Sequence, residues 1–182
     1  FMRIISGIFK GRHFSPPKNL KARPTTDVAK EGLFDILSHR VDFEEISVLD
    51  LFGGTGSIRL ELASRGCNKI TLVELNSINY GYIRKLISQL DVKCINAFKA
   101  DSFRFVKTCK QSFDLIFADP PYDHKELKNI PDLVIENQLL TSDGILILEH
   151  PKEFDFSQHP NFSEHRKYGH VNFSFFKLSK EI

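Results

Sequence analysis

From Ile46 onward the chain alternates short apolar runs with longer segments of helical spacing, and this alternation limits the fold more than any other feature. Strand-like runs fall at 46–50, 69–74, 94–99, 113–118 and 144–149, separated by helix-like segments near 56–65, 76–90, 102–109 and 125–139. A run such as Leu115-Ile116-Phe117-Ala118 is apolar at every position, which is the pattern of a strand buried on both faces. The expectation is an α/β chain with a mostly parallel central sheet and helices on both faces. Two aromatic, alternating stretches near 162–168 and 171–178 add a C-terminal antiparallel hairpin.

A different kind of segment comes first. Met2–Phe14, with Gly7 and Gly11, reads as a small hairpin, and Ser15-Pro16-Pro17 breaks regular structure. Thr25-Thr26-Asp27 opens a helix whose Ala29, Leu33, Phe34 and Leu37 share one face. Phe1, ahead of Met2, is set aside. Residues 1–30 hold seven Lys/Arg against one acid, Asp27, for a charge of +6, whereas the rest of the chain carries −4. A basic arm on a mildly acidic body is a footprint for phosphate, although a solvated surface extension has the same charge. The expected organisation is a basic N-terminal extension, 1–45, packed on a core domain, 46–182.

Other classes fall away quickly. No stretch approaches the roughly 18 apolar residues of a membrane span. The amino terminus lacks a signal-peptide pattern, so a cytoplasmic location is expected. Cys67, Cys94 and Cys109 are widely spaced without a CxxC pair, and the seven histidines show no His-Glu-x-x-His spacing. Neither a disulfide frame nor a metal site is expected.

Asp50-Leu51-Phe52-Gly53-Gly54-Thr55-Gly56 places glycines where the first core strand turns into a helix. Such a turn lets the backbone approach a ligand and presents free N–H groups to a negative group. It is not Gly-x-Gly-x-x-Gly, because Arg59 occupies the third glycine's place, and no Lys-Ser/Thr follows to make a P-loop. Glu74 ends the second core strand, where an acid can hold the two hydroxyls of a ribose. Asp101 ends the third, placed to accept from an exocyclic amine such as that of adenine. Together these acids fit S-adenosylmethionine better than a nicotinamide dinucleotide.

Asp119-Pro120-Pro121-Tyr122 closes the buried run 113–118. The exocyclic amine of a nucleobase is a poor nucleophile because its lone pair is delocalised into the ring. The Asp119 carboxylate and the Pro120 carbonyl can accept from that amine and draw its nitrogen toward a tetrahedral geometry. Pro120 and Pro121 present no N–H and stiffen the loop, and Tyr122 offers a face for a base, worth on the order of 1–3 kcal/mol. By itself an Asp-Pro-Pro string also marks ordinary turns.

The ordered pair Asp-x-Phe-Gly-Gly-Thr-Gly and Asp-Pro-Pro-Tyr resembles the class I S-adenosylmethionine-dependent amino-methyltransferases, which have a Rossmann-like fold. The arm narrows the likeness. Arg3-Ile4-Ile5-Ser6-Gly7, Lys10-Gly11-Arg12 and Arg23-Pro24-Thr25-Thr26-Asp27 leading into Lys30-Glu31-Gly32-Leu33-Phe34 are similar to the RsmD-like bacterial 16S rRNA (guanine-N2)-methyltransferases. The likeness runs through Leu146-Ile147-Leu148-Glu149, nearly the whole chain. It implies donor binding by Asp50, Leu51, Phe52, Gly53, Gly54, Thr55, Gly56, Glu74, Asp101 and Ser102. It implies catalysis at Asp119, Pro120, Pro121 and Tyr122, and RNA contact through Arg3, Lys10, Arg12, Arg23, Thr25 and Thr26. The implied substrate is one guanine of 16S rRNA, in the small ribosomal subunit or an assembly intermediate, with the enzyme a monomer.

Two departures stand out: Gly53 where members often carry alanine, which should be harmless, and Arg59 where many carry a small residue. The residues alone also fit an adenine-N6, cytosine-N4 or protein-glutamine methyltransferase. A non-catalytic RNA-binding assembly factor on the same scaffold is a further alternative, and a dehydrogenase is disfavoured by the glycine spacing.

Overall fold

A computed structural model describes residues 2–20 and 25–179. In chain order these form β1 (Met2–Arg3), β2 (His13–Phe14), α1 (Asp27–Ser38), β3 (Ser47–Asp50), α2 (Ser57–Ser64), β4 (Lys69–Val73), α3 (Ser77–Gln89), β5 (Ile95–Phe98), α4 (Ser102–Thr108), β6 (Phe113–Ala118), α5 (Ile130–Glu136), β7 (Leu140–His150), β8 (Phe162–Tyr168) and β9 (Val171–Lys177). The main sheet has seven strands in the order β5-β4-β3-β6-β7-β9-β8. The first five are parallel neighbours, and β9 and β8 join antiparallel as the C-terminal hairpin. The architecture is α/β and Rossmann-like.

Successive residues of a buried strand face opposite layers, and the two cores follow that rule. Val48 and Leu115 point into one layer with Leu33, Phe34, Leu62 and Ile83 of α1, α2 and α3. Leu49 and Ile116, one residue on, point into the other with Val106 of α4 and Val134 of α5. Chain order reverses direction between β3 and β6, and at such a switch the strand ends leave a crevice for a ligand.

The helix expected over 125–139 is divided. A single 3-10 turn covers Leu127–Asn129, and α5 begins at Ile130 with Pro131 in its first turn. Proline restricts the residue before it and lacks the N–H that a continuous helix needs, so the helix restarts there. Strand β7 starts earlier than expected, at Leu140, and its register against β6 shifts between Phe113 and Leu115.

The arm is docked through its backbone. The β1–β2 hairpin lies on α2, where the amides of Ile5 and Ser6 donate to the two Glu61 oxygens at 2.8 and 3.0 Å. Met2 and Ile4 are buried in the α1–α3 core layer. Gly7 passes so close to α2 that a Cβ there would lie 1.8 Å from the Ser64 carbonyl oxygen. Buried Lys30 of α1 ties the hairpin further, donating to the Arg3 carbonyl and to Ser57 Oγ.

Candidate active site

A cavity of about 620 Å³ lies along the carboxyl ends of β3 to β7. Each of those strands delivers residues to its wall: Phe52 and Gly54 after β3, Glu74 after β4, Asp101 and Ser102 after β5, Asp119 to Tyr122 after β6, and Glu149 within the end of β7.

At one end of the cavity the Glu74 carboxylate is already paired. Glu74 is buried, yet Gly54 N donates to its Oε2 at 2.8 Å, Asn76 N to its Oε1 at 2.6 Å and Asn79 Nδ2 to its Oε2 at 3.4 Å. These bonds fix the carboxylate across the glycine turn while leaving lone pairs for ligand hydroxyls. Gly53 makes the approach possible: a Cβ there would come within 2.9 Å of Glu74 Cβ. Gly56 sits at φ 91° as the residue that starts α2, a conformation glycine adopts without penalty. Ser102 Oγ donates to the Leu51 carbonyl and so ties α4 to the turn. Asp101 caps α4 by accepting from Arg104 N at 2.9 Å.

Several residues of the expected donor set act behind the wall rather than on it. Asp50, Leu51, Gly53 and Thr55 are all buried and do not line the cavity. Asp50 accepts from Arg59 Nε at 3.0 Å, with both side chains 2% exposed. Burial pushes the Asp50 carboxyl up and the Arg59 guanidinium down, each against the pull of the other. Arg59 is therefore the internal counter-ion of the turn's acid, and Asp50 Oδ1 and Arg59 Nη1 remain buried without hydrogen-bond partners. Nearer the cavity, Asn79 Oδ1 is buried and unpartnered as well, on a residue that lines the wall.

The other end carries two acids, Asp119 and Glu149. No donor among the described residues reaches the Asp119 carboxylate. Burial, then the neighbouring Glu149 and Asp50 carboxylates, hold its proton affinity well above the usual aspartate range. Glu149 is pushed up to about 7, chiefly by burial, with hydrogen bonds from Tyr122 and Thr25 acting in the opposite direction. The Tyr122 hydroxyl donates to Glu149 Oε1 at 3.0 Å, and Thr25 Oγ1 donates to Oε2 at 3.4 Å. The hydroxyl end of Tyr122 is thus anchored while 40% of the residue stays exposed, an arrangement suited to a fixed stacking face. Burial and the two carboxylates raise the Tyr122 pKa, so it remains a neutral donor.

The other arm residues separate by position. Thr25 and Thr26 line the cavity, Thr25 at this end beside Glu149, and Thr26 also caps α1 through Ala29 N. Arg3 faces acids of α1, with Nε 3.3 Å from Asp27 and Nη2 2.9 Å from Glu31. Lys10 and Arg12 are exposed, the Arg12 guanidinium 5.3 Å from the Phe9 ring centroid. Arg23 lies outside the described residues.

Glu149 is a site residue that the sequence did not single out, although its signal was the same as for Glu74, an acid at the end of an apolar strand. Phe103 and His124 are two more, and their rings stack on the cavity wall with centroids 4.6 Å apart. His170, at the turn of the β8–β9 hairpin, reaches the cavity by topology alone. Among the described residues no group of three or more His, Cys, Asp or Glu is gathered to hold a metal ion, and no helix is long and apolar enough to cross a membrane.

Comparison with known proteins places this geometry among relatives. The family described as Conserved hypothetical protein 95 matches residues 2–177. The Ribosomal RNA small subunit methyltransferase D of Escherichia coli K12 is 30% identical over 175 residues, covering 91% of this chain and 83% of that protein. YlbH of Bacillus subtilis 168, designated a candidate rRNA methyltransferase, is 31% identical over 161 residues, covering 86% of each. A solved Escherichia coli structure, yhhF, designated a candidate methyltransferase, superposes with a TM-score of 0.84 at 25% identity, covering 98% of this chain and 99% of that one.

Proposed function

This chain belongs to the RsmD-like family, described as Conserved hypothetical protein 95, and we propose that it transfers a methyl group from S-adenosylmethionine to the exocyclic N2 amine of one guanine in 16S rRNA. The observation that carries the reading is a single cavity with two unlike ends, one pre-paired and one holding an unsatisfied carboxylate beside a fixed aromatic face.

The donor supplies an already activated methyl on a sulfonium, so the protein's task is mainly positioning. Glu74 would hold the ribose hydroxyls and Asp101 the adenine amine, with Phe52 and Phe103 packing against the ring. On the acceptor side the base leaves its stack to reach Tyr122, as chemistry on a base requires. Asp119 and the Pro120 carbonyl accept from the amine and expose its lone pair. The new N–C bond forms as the S–C bond breaks, and the surplus proton on nitrogen passes to the Asp119 carboxylate. A carboxylate whose proton affinity is raised by burial is suited to that acceptance. The enzyme acts as a monomer on RNA presented by the small subunit or an assembly intermediate, with Lys10 and Arg12 of the docked arm meeting phosphates near the target.

The test is incubation with methyl-labelled S-adenosylmethionine and, separately, naked 16S rRNA, small subunits from an unmethylated strain, and duplex DNA. Nucleosides from each digest are identified by mass. N2-methylguanosine from RNA or subunits is the expected product. Methyladenosine or methylcytidine would keep the chemistry and overturn the target, and absence of label with intact donor binding would favour an RNA-binding or protein-methylating role.

A further inference from the structure

The acceptor end holds one acid more than amine activation needs. Asp119 suffices to accept from the reactive amine, yet Glu149 lines the same cavity, is 5% exposed and lies close enough to raise the proton affinity of Asp119. Each Glu149 oxygen receives one hydroxyl, from Tyr122 or from Thr25, so the carboxylate is held from two sides. Each oxygen keeps a further lone pair. A second carboxylate beside the first is costly unless something arrives with two donors side by side.

Only one standard base offers that. On guanine, the N2 amine is flanked by a ring N1–H, so two donors point the same way. On adenine and cytosine, the ring nitrogen beside the exocyclic amine is an acceptor, whose lone pair would face a carboxylate. We propose that Glu149 is the residue that reads the target as guanine, its carboxylate accepting from N1–H while Asp119 accepts from the neighbouring N2 amine. The inference rests on the guanine-N2 reading above and deepens it. Thr25, where the arm enters α1, steadies the reader, and so joins the arm to base choice rather than to phosphate contact alone.

The probe is a small subunit whose methylated guanine, once located, is replaced by 2-aminopurine through RNA ligation. That base keeps the N2 amine and has no hydrogen on N1. Wild-type enzyme should favour guanine by at least about 100-fold in kcat/KM. In Glu149→Gln the rate on guanine should fall at least about 10-fold, and the preference should shrink to within about 10-fold, because the amide can turn an N–H toward the bare N1. Tyr122→Phe removes one of the two hydroxyls that hold Glu149 and should narrow the preference by less than Glu149→Gln does. Calorimetric binding of S-adenosylhomocysteine, unchanged in both variants, confirms that they are folded. A wild-type preference retained by Glu149→Gln would overturn the assignment, as would equal loss on both bases. Wild-type product other than N2-methylguanosine would instead defeat the guanine reading itself, and this proposal with it.

Discussion

The two ends of the cavity use the same residue type in opposite ways. Glu74 at the donor end is bound by two backbone amides and an asparagine, and Asp50 beneath it has a guanidinium of its own. At the acceptor end Asp119 has no donor among the described residues and meets the Glu149 carboxylate, while Glu149 has two hydroxyls against its burial. The first arrangement is a socket completed during folding. The second stores an electrostatic debt that an incoming pair of N–H groups would settle. A buried acid therefore identifies a ligand site less by its presence than by whether the fold has already supplied its partners.

The contrast can be broken from the donor side first, where the largest change in stability is expected. Arg59→Met removes the counter-ion of Asp50 and should cost roughly 3–5 kcal/mol at pH 8, measured by urea unfolding. The loss should shrink as pH falls, because burial already raises the proton affinity of Asp50 and a neutral carboxyl needs no counter-ion. A change below about 1 kcal/mol at pH 8 would mean that the pair is not the socket's foundation.

The same measurement on the acceptor side should change sign. Glu149 titrates at about 7 in the folded protein against an ordinary 4.5. Between those values the unfolded chain releases its proton first, so folding is progressively opposed as pH rises from about 4.5 to about 7. Glu149→Gln removes that penalty and should stabilise the fold by roughly 2–3 kcal/mol at pH 8 and by nearly nothing at pH 4. Destabilisation at pH 8 would show that the hydroxyl bonds outweigh the burial of charge.

The smallest effects lie outside the cavity. Replacing Lys10 and Arg12 by alanine should flatten the salt dependence of RNA binding by about 0.7–0.9 in log–log slope for each phosphate that is no longer neutralised. Arg3→Ala should flatten it less, because Arg3 is occupied by Asp27 and Glu31. Equal slopes for all three residues would remove the distinction between docked and free arm charges.

The sheet was readable in the sequence because its central strands carry short apolar runs, such as Leu115-Ile116-Phe117-Ala118, and its turns carry glycine and proline. Part of the cavity's wall was readable for a related reason: Glu74, Asp101 and Asp119 are acids at or just past the ends of strand-like runs, where a polar residue stands out, as is Asp50 behind the wall. What each acid does was not. Asp50 and Glu74 look alike in sequence, but one is neutralised by Arg59 nine residues on, while the other is bonded by amides that only the folded turn aligns. Arg59, noted as a departure from the small residue many members carry, is the partner that permits Asp50 to be buried. Gly53, read as a harmless departure, leaves no room for a Cβ beside Glu74 in this chain. Glu149 was hidden because its significance comes from Tyr122 and Thr25, 27 and 124 residues away in the chain. The division at Pro131 was visible in the letters, yet an apolar face on either side of it masked the break.

If the unsatisfied end performs the chemistry while the paired end only binds, one substitution should separate the two. That substitution is Asp119→Ala, with S-adenosylhomocysteine affinity and methyl transfer to small subunits measured on the same preparation. The expected result is affinity within about 3-fold of wild type and transfer reduced by about 10²–10⁴-fold. Transfer that continues at a comparable rate, with donor binding intact, would contradict it.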